Sequence, residues 1–268
     1  MRLLFIGDVV GPPGLAFLKV AVPFLRAAER LDAVVANAEN GTSGSGLAPR
    51  DYRAVRAAGV DAVTLGDHAY KRFEIAAVLA DPAEPACKPA NFPAAAPGKD
   101  HALFTAPNGV PVAVVSLLGR TFMRAVDCPF AAADRVLAAL AGKVKVVLVD
   151  VHAEATADKY LLAHHLKGRV SAVLGTHTHV QTADEQVFPG GTAFVCDVGM
   201  TGPHDSVLGR RVDRVLHTSL TFEPTAFDVA TGDVRLGGAV VDVDPATGHA
   251  TAVRRVMLRE ADVRPGGG

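Results

Sequence analysis

Five short apolar segments of this chain each end in side chains that carry a carboxylate, an amide or an imidazole. The segments are LLFIG, VVANA, AVTLG, VVLVDV and AVLGT. In open α/β sheets, ligands bind at the carboxyl ends of the strands. The pattern therefore predicts strands that bring one set of polar side chains to a common edge: Asp8, Glu39, Asn40, Asp67, His68, His152, His177 and His179.

Each of these residues alone has a simpler explanation. Asp8 could cap a helix, Asn40 could form a turn, and His152 could start a helix. His177 and His179 could be ordinary polar residues of a turn. Because five separate segments repeat the same placement, a shared site explains the set better than five coincidences do.

The rest of the chain alternates between strand-like and helical patterns. Strands are predicted at residues 2–6, 33–36, 61–65, 144–149, 170–174 and 193–197, and a hairpin at 101–105 and 110–118. Helices are predicted at residues 15–31, 48–58, 72–80, 131–140 and 155–165. Later strands are predicted at 219–222, 233–243 and 251–258, and the RPGGG tail is expected to fray. This order indicates an α/β domain over residues 1–268, with one mixed sheet or two packed sheets.

Composition narrows the function classes. The 268 residues are 49% hydrophobic and 21% charged, which is typical of a globular protein. The formal net charge of −1 excludes a global basic field for nucleic acid or anionic membrane, so an anionic ligand must be held locally. No apolar run is long enough for a membrane span or a signal segment, so we expect a soluble, cytoplasmic protein. Three scattered cysteines form no disulfide framework or CxxC motif, and Cys196 is expected in a buried strand.

The predicted edge suits a pair of divalent metal ions. Carboxylate oxygen and imidazole nitrogen are ligands for Mn, Fe or Zn, and the absence of thiolates disfavours a structural zinc site. Two-metal hydrolytic sites hold their ions about 3.5–4 Å apart and clamp the attacking and leaving oxygens. Seven of these side chains are about the right number of ligands for such a centre: Asp8, Glu39, Asn40, Asp67, His152, His177 and His179.

Several longer motifs carry a family resemblance. The order GD, EN, GDH, H and GTHTH resembles the metallophosphoesterase (calcineurin-like) superfamily. Within it, LLFIGDVVGPPG, NAENG, KPANFP, GRTFM, DVHAEATADK, GTHTHVQTADE and DVGMTGP resemble the bacterial YmdB-like 2′,3′-cyclic-nucleotide 2′-phosphodiesterases. The resemblance runs from Met1 to about Leu258. It implies a sandwich of two mixed sheets flanked by helices, and a dinuclear centre of Fe or Mn, with Zn or Mg as alternatives.

The same resemblance implies an activity and a role for each site residue. It implies that a metal-activated hydroxide hydrolyses the 2′ bond of 2′,3′-cyclic nucleotides to give 3′-nucleotides, and that some members form homo-oligomers. Asp8, Asn40 and His179 would bind one metal, Asp67, His152 and His177 the other, and Glu39 would bridge them. His68 would lie near the leaving oxygen, as general acid or as stabiliser of the transition state. No stable complex with nucleic acid or a membrane is expected.

The sequence departs from the family pattern at two positions. The broad superfamily has Asp-x-His at its first motif, whereas Asp8 is followed by Val9 and Val10, so Glu39 and Asn40 would have to compensate. The closer family has Asn where this chain has Asp67. A third carboxylate would bind the metals more tightly but offset more of their charge.

Two alternatives stay open. One is a general phosphomonoesterase or nucleotidase with the same metals, and the other is a low-activity nucleotide-binding regulatory protein. Among weaker candidates, Arg120 could bind phosphate or be a surface arginine, Asn91 could approach the site, and residues 199–203 could form only a turn.

Overall fold

Two β-sheets pack face to face, with helices on the outer face of each. The structure, a computed structural model, describes residues 1–263; residues 264–268, expected to fray, lie outside the described part. Within residues 1–263, no helix is both long and apolar enough to cross a membrane. The mixed α/β class and the sandwich of two mixed sheets flanked by helices are confirmed.

The strands and helices follow one another along most of the chain. The strands are β1 (Arg2–Ile6), β2 (Asp8–Val9), β3 (Ala33–Asn37), β4 (Ala62–Thr64), β5 (Ala86–Cys87), β6 (His101–Thr105), β7 (Pro111–Leu118), β8 (Val146–His152), β9 (Ala172–Thr176), β10 (Gln186–Phe188), β11 (Thr192–Val195), β12 (Met200–Asp205), β13 (Gly232–Val243) and β14 (Ala250–Arg259). The helices are α1 (Gly11–Glu29), α2 (Pro49–Ala57), α3 (Ala76–Ala80), α4 (Pro129–Leu140), α5 (Thr156–Leu166) and α6 (Val212–Thr221), with 3-10 turns at Phe73–Ile75 and Glu260–Val263.

The first sheet has eight strands in the order β2-β12-β13-β1-β3-β4-β5, with β14 also paired to β13. Strands β1, β3, β4 and β5 run parallel to one another, while β13 is antiparallel to β1. The second sheet has the order β10-β11-β9-β8-β7-β6, with β11, β9, β8 and β7 parallel. Parallel strands place their carboxyl ends at one edge, which is the condition that the sequence pattern required.

Three apolar clusters hold the layers together. Between the sheets lie inward side chains of both, among them Leu3, Phe5, Leu148 and Leu174. Outside the first sheet, α1 and α2 bury residues against it, and outside the second sheet α4 and α5 do the same. Strands that are covered on both faces need apolar residues at successive positions, which explains runs such as VVLV in β8.

Two sequence expectations are wrong. The pattern predicts a strand over residues 219–222, but Ser219 to Thr221 form the last turn of α6, and Phe222 ends the helix with φ of 59°. The turn that the sequence allows over residues 199–203 is also absent, because Met200 begins β12, which pairs antiparallel with β13 and parallel with β2. Cys196 is buried as expected, although it follows β11 rather than lying within it.

Candidate metal centre

All eight predicted side chains lie at the carboxyl edge of the two sheets. The first sheet supplies one group from the residues that follow β1, β3 and β4: Asp8, Glu39, Asn40, Asp67 and His68. The second sheet supplies His152 at the end of β8, and His177 and His179 after β9. The two sheets therefore face each other across the candidate site.

Four of these residues form a compact cluster. Glu39, Asp67, His152 and His177 each offer one ligand atom within 4.8 Å of the others. The Nε2 atom of His152 lies 3.1 Å from Glu39 Oε1 and 3.0 Å from both Asp67 Oδ1 and His177 Nδ1. A group of this kind could hold a metal ion, since it combines carboxylate oxygens with imidazole nitrogens.

A second group lies beside the first. Asp8 Oδ1 is 3.9 Å from His179 Nε2, and the amide nitrogen of Asn40 is 3.4 Å from the same ring nitrogen. Asp8 is fully buried, and its Oδ1 atom has no hydrogen-bond partner within residues 1–263. A buried carboxylate oxygen without a partner is costly. A cation at this position would satisfy it, so the donor set fits a second ion.

His152 and His179 are each held by a hydrogen bond at Nδ1. Thr176 donates its hydroxyl to Asp150 Oδ1 at 2.6 Å, so it must accept from His152 Nδ1 at 2.9 Å. His179 Nδ1 donates to the carbonyl of Leu208 at 3.0 Å. Each ring therefore directs Nε2 toward the carboxylates of the site, where it could bind a metal ion.

His177 is turned the other way round. Its Nδ1 atom faces His152 and Asp67, while its Nε2 atom lies 3.3 Å from Glu154 Oε2. Glu154 was not among the predicted residues, although it lies in the DVHAEATADK motif. A carboxylate behind a histidine fixes the ring and raises its basicity.

Glu39 is held by the turn that follows β4. Its Oε2 atom accepts hydrogen bonds from the backbone N–H groups of Gly66 at 2.7 Å and His68 at 3.0 Å. Its Oε1 atom is left to face His152. Position 66 must be glycine here, because a Cβ atom would lie 2.3 Å from Cδ2 of His152.

The buried ionisable side chains of the cluster shift one another's pKa values. Burial raises the pKa of Asp8 to about 6. Burial alone would also raise the pKa of Glu39, but the charge and hydrogen bond of His152 outweigh it and lower that pKa. Burial would lower the pKa of His152, yet Glu39 and Asp67 raise it well above its usual value. The carboxylates thus favour positive charge at the centre of the cluster, as a metal site requires.

The two histidines after β9 are held apart by Thr178. His177 and His179 have positive φ values of 96° and 65°, which are unfavourable for side-chain-bearing residues. Thr178 between them donates from Oγ1 to Asp197 Oδ2 at 2.6 Å. The same carboxylate oxygen accepts from Lys159 Nζ at 2.7 Å, and the side chains of this ion pair are 1% exposed.

Sequence reasoning missed Thr178, Lys159 and Asp197. Lys159 lies in DVHAEATADK and Asp197 begins DVGMTGP, so both motifs contain the signal. A lysine on a helix and an aspartate after a strand are nevertheless common in α/β proteins. Only the contact between them shows that this ion pair holds Thr178 and the loop after β9.

An open cavity of about 300 Å³ lies above the cluster. Its lining includes Asn40, His68, Glu154, His177, His179 and Arg210. His68 Nδ1 is 2.7 Å from Asn40 Oδ1, which can only accept, so this nitrogen carries a proton. His68 Nε2 lies 3.8 Å from Asp67 Oδ2.

Asn91 and Arg120, the weaker candidates from the sequence, are not among the residues that line this cavity. Asn91 is fully buried, donates to the carbonyls of Leu118 and Asp127, and accepts from the N–H of Leu118, so it joins two loops. Arg120 is exposed; its backbone N–H donates to Asp158, and its carbonyl accepts from the N–H of Met123.

Comparison with known proteins gives consistent matches over nearly the whole chain. A family model described as YmdB-like protein matches residues 4–256. A protein of Bacillus subtilis (strain 168) named 2′,3′-cyclic-nucleotide 2′-phosphodiesterase is 42% identical over 260 residues, covering 97% of this chain and 98% of the relative.

Two solved structures have the same architecture. A hypothetical protein from Thermus thermophilus superposes with a TM-score of 0.90 at 43% identity, covering 97% of this chain and 100% of the other. A structure described as a novel phosphatase from Mycoplasma pneumoniae superposes with a TM-score of 0.88 at 27% identity, covering 97% and 93%.

Proposed function

Because this chain belongs to the YmdB-like family, we propose that it is a metal-dependent phosphoric diester hydrolase acting on 2′,3′-cyclic nucleotides. It would cleave the 2′ bond and release 3′-nucleotides, the reaction named for its Bacillus subtilis relative. The observation that carries the proposal is the cluster of Glu39, Asp67, His152 and His177, which lies beside the unpartnered Oδ1 atom of Asp8.

We assign the ligands of two ions from the contacts in the cluster. Asp8, Asn40 and His179 would hold one ion, Asp67, His152 and His177 the other, and Glu39 would bridge them. We favour Fe or Mn, since both accept mixed carboxylate and imidazole sets. When bound, the pair supplies a hydroxide nucleophile near neutral pH and positive charge that stabilises the transition state.

His68 is the proposed proton donor to the leaving group. Its Nδ1–H bond to Asn40 holds the ring, and its Nε2 atom is left to donate. As the bond between phosphorus and O2′ breaks, a proton from protonated His68 passes to O2′, which leaves as a hydroxyl with the phosphate retained on O3′. The same Nε2 atom lies 3.8 Å from Asp67 Oδ2, at the edge of the metal cluster.

Metal content and product identity test this function directly. Purified protein should contain Fe or Mn, and reloading the stripped protein with either should restore hydrolysis of 2′,3′-cAMP to 3′-AMP. A preference for p-nitrophenyl phosphate would instead indicate a phosphomonoesterase. Tight nucleotide binding with very slow turnover would indicate the regulatory alternative, which the third carboxylate at Asp67 favours. Full activity in Asp8→Ala and His152→Ala would contradict the metal centre.

Three further features are proposed from the sequence. The chain would form one domain over residues 1–268, would be cytoplasmic, and would associate into homo-oligomers. The free thiols of Cys87, Cys128 and Cys196 suit a reducing compartment. Light scattering on the purified protein would measure the oligomeric state.

A further inference from the structure

A second cavity, of about 310 Å³, opens at the same edge of the sheets as the candidate metal centre. Tyr70, Phe92 and Arg124 form its polar and aromatic walls. Tyr70 lies in the turn after β4, two residues beyond His68. Phe92 follows β5, and Arg124 lies in the loop after β7.

The strand order places this cavity at the same edge as the candidate site. In the first sheet β5 is the neighbour of β4, which precedes Asp67, and in the second sheet β7 is the neighbour of β8, which ends at His152. Neighbouring strands are about 4.8 Å apart. The loop after β7 also touches the site directly, since the Gly119 N–H donates to the carbonyl of His152 at 3.0 Å. The residues of the cavity and those of the cluster therefore follow neighbouring strands at the same edge of the two sheets.

The aromatic walls are held in fixed positions. The Tyr70 and Phe92 rings have centroids 5.7 Å apart at an interplanar angle of 41°. The hydroxyl of Tyr70 donates to the carbonyl of Pro97, and Phe92 is 4% exposed. The guanidinium carbon of Arg124 lies 5.4 Å from the centre of the Phe92 ring. The buried Phe92 ring thus supports two flat groups that are accessible, the half-buried Tyr70 ring and the exposed Arg124 guanidinium.

The rim of the cavity carries positive charge without a partner. The guanidinium group of Arg124, in the loop after β7, makes no hydrogen bond or ion pair within residues 1–263. The metal cluster, by contrast, is rich in carboxylates. An anionic ligand with a flat apolar part would complement both features of the cavity, the exposed guanidinium group and the aromatic walls.

We propose that Tyr70, Phe92 and Arg124 form the binding site for the base of the nucleotide substrate. The inference rests on the proposed function, because the cyclic phosphate of the same nucleotide would lie at the metal centre. Stacking on aromatic rings and on a guanidinium group accepts any base, since every base has a π face. The cavity would thus select nucleotides over simple phosphodiesters without strong preference among the bases.

The test compares a nucleotide with a substrate that lacks the base. The substrates are 2′,3′-cAMP and the 2′,3′-cyclic phosphate of methyl riboside, and the variants are Tyr70→Leu and Arg124→Ala. We expect each variant to lower the ratio of kcat/KM for the nucleotide to that for the base-free substrate about tenfold, chiefly through KM. Tyr70→Phe keeps the ring and should keep the ratio. Phe24→Ala, which removes a partly exposed ring on α1, is the matched control and should leave the ratio unchanged.

An unchanged ratio in Tyr70→Leu and Arg124→Ala would overturn the inference, even if total activity falls. Failure of the proposed function has a different signature, which is that the wild type hydrolyses neither substrate under any metal loading. In that case, saturation-transfer NMR with 2′,3′-cAMP decides the matter: contacts from the adenine protons should be present in the wild type and lost in Tyr70→Leu. Equal adenine contacts in both proteins would contradict the base site.

Discussion

At the scale of single residues, Asp67 is the most unusual member of the cluster. Its Oδ1 atom lies 3.0 Å from His152 Nε2, at a position where the family resemblance leads one to expect asparagine. Burial would raise the pKa of this carboxyl, but the hydrogen bond and charge of His152 lower it, so Asp67 is ionised. With Asp8 and Glu39, Asp67 brings the number of carboxylates at the candidate metal centre to three.

Asp67→Asn tests the effect of that charge. We expect the variant to bind its metals more weakly, by about tenfold, because one charged ligand is lost. At saturating metal its turnover should rise several-fold, since less of the positive charge is offset. Metal titration and kcat for 2′,3′-cAMP measure the two effects. Asp134→Asn, on the exposed side of α4, is the control; values for Asp67→Asn that match the wild type would contradict the argument.

His177 and His179 belong to different groups of side chains, although one residue separates them. His177 faces His152 and Asp67, whereas His179 faces Asp8 and Asn40. We therefore expect His177→Ala and His179→Ala each to lose one ion, so that metal content falls from about two ions per chain to about one. The double variant should lose both, and His249→Ala should lose none. Loss of both ions in either single variant would show that the pair acts as one chelate.

At the scale of elements, the loop after β9 depends on an anchor from outside it. The Lys159 ammonium on α5 and the Asp197 carboxylate after β11 form a buried ion pair, and Thr178 donates to that carboxylate. A buried ion pair is weak evidence for stability as such, because desolvation opposes the attraction. Here the pair has a geometric consequence, since it holds a backbone segment with two positive φ values.

Thr178→Val tests the anchor with little change in side-chain volume. Loss of the hydroxyl should free the segment and lower the affinity for both ions together, by about 10- to 100-fold. This parallel loss differs from the one-ion loss expected of each histidine variant. Thr178→Ser keeps the donor and should restore binding. Isothermal titration with Mn²⁺ measures the affinities, and wild-type affinity in Thr178→Val would disprove the role of the anchor.

At the scale of the whole molecule, the candidate ligands come from both sheets. Asp8, Glu39 and Asp67 follow strands of the first sheet, and His152 and His177 belong to the second. A bound ion would cross-link the two layers. Ligands that bind only the folded state add stability by mass action, about 2.7 kcal/mol at a hundredfold excess over Kd.

Removal of metal should therefore lower the thermal stability of the entire protein. We expect chelation with EDTA to reduce the Tm by several degrees, with one cooperative transition, and Mn²⁺ to restore it. In Asp8→Ala the Tm difference between metal-loaded and EDTA-treated protein should be smaller, because one buried ligand is missing. Differential scanning calorimetry provides the measurement. A Tm that is independent of metal in the wild type would contradict binding between the sheets.

The sequence by itself determined the strands of the core and the polar residues that follow them. This was possible because both signals are local: a buried strand needs successive apolar residues, and the polar residue comes next in the chain. The failures were also local. The SLTF stretch has strand-forming composition, but it ends α6, a helix with no buried residues. The glycine and proline of MTGP are typical of a turn, but these residues belong to β12, which pairs with β2 and β13.

Only the tertiary structure decided which side chains meet. Strand order sets the contacts of Thr178 with Asp197, of Lys159 with the same carboxylate, and of Glu154 with His177. It also sets the cavity of Tyr70, Phe92 and Arg124 at the same edge as the cluster. These residues are far apart in the chain, and no local pattern records the distance between them. The physical reason is that packing two sheets against each other brings together strand ends that are separated along the sequence.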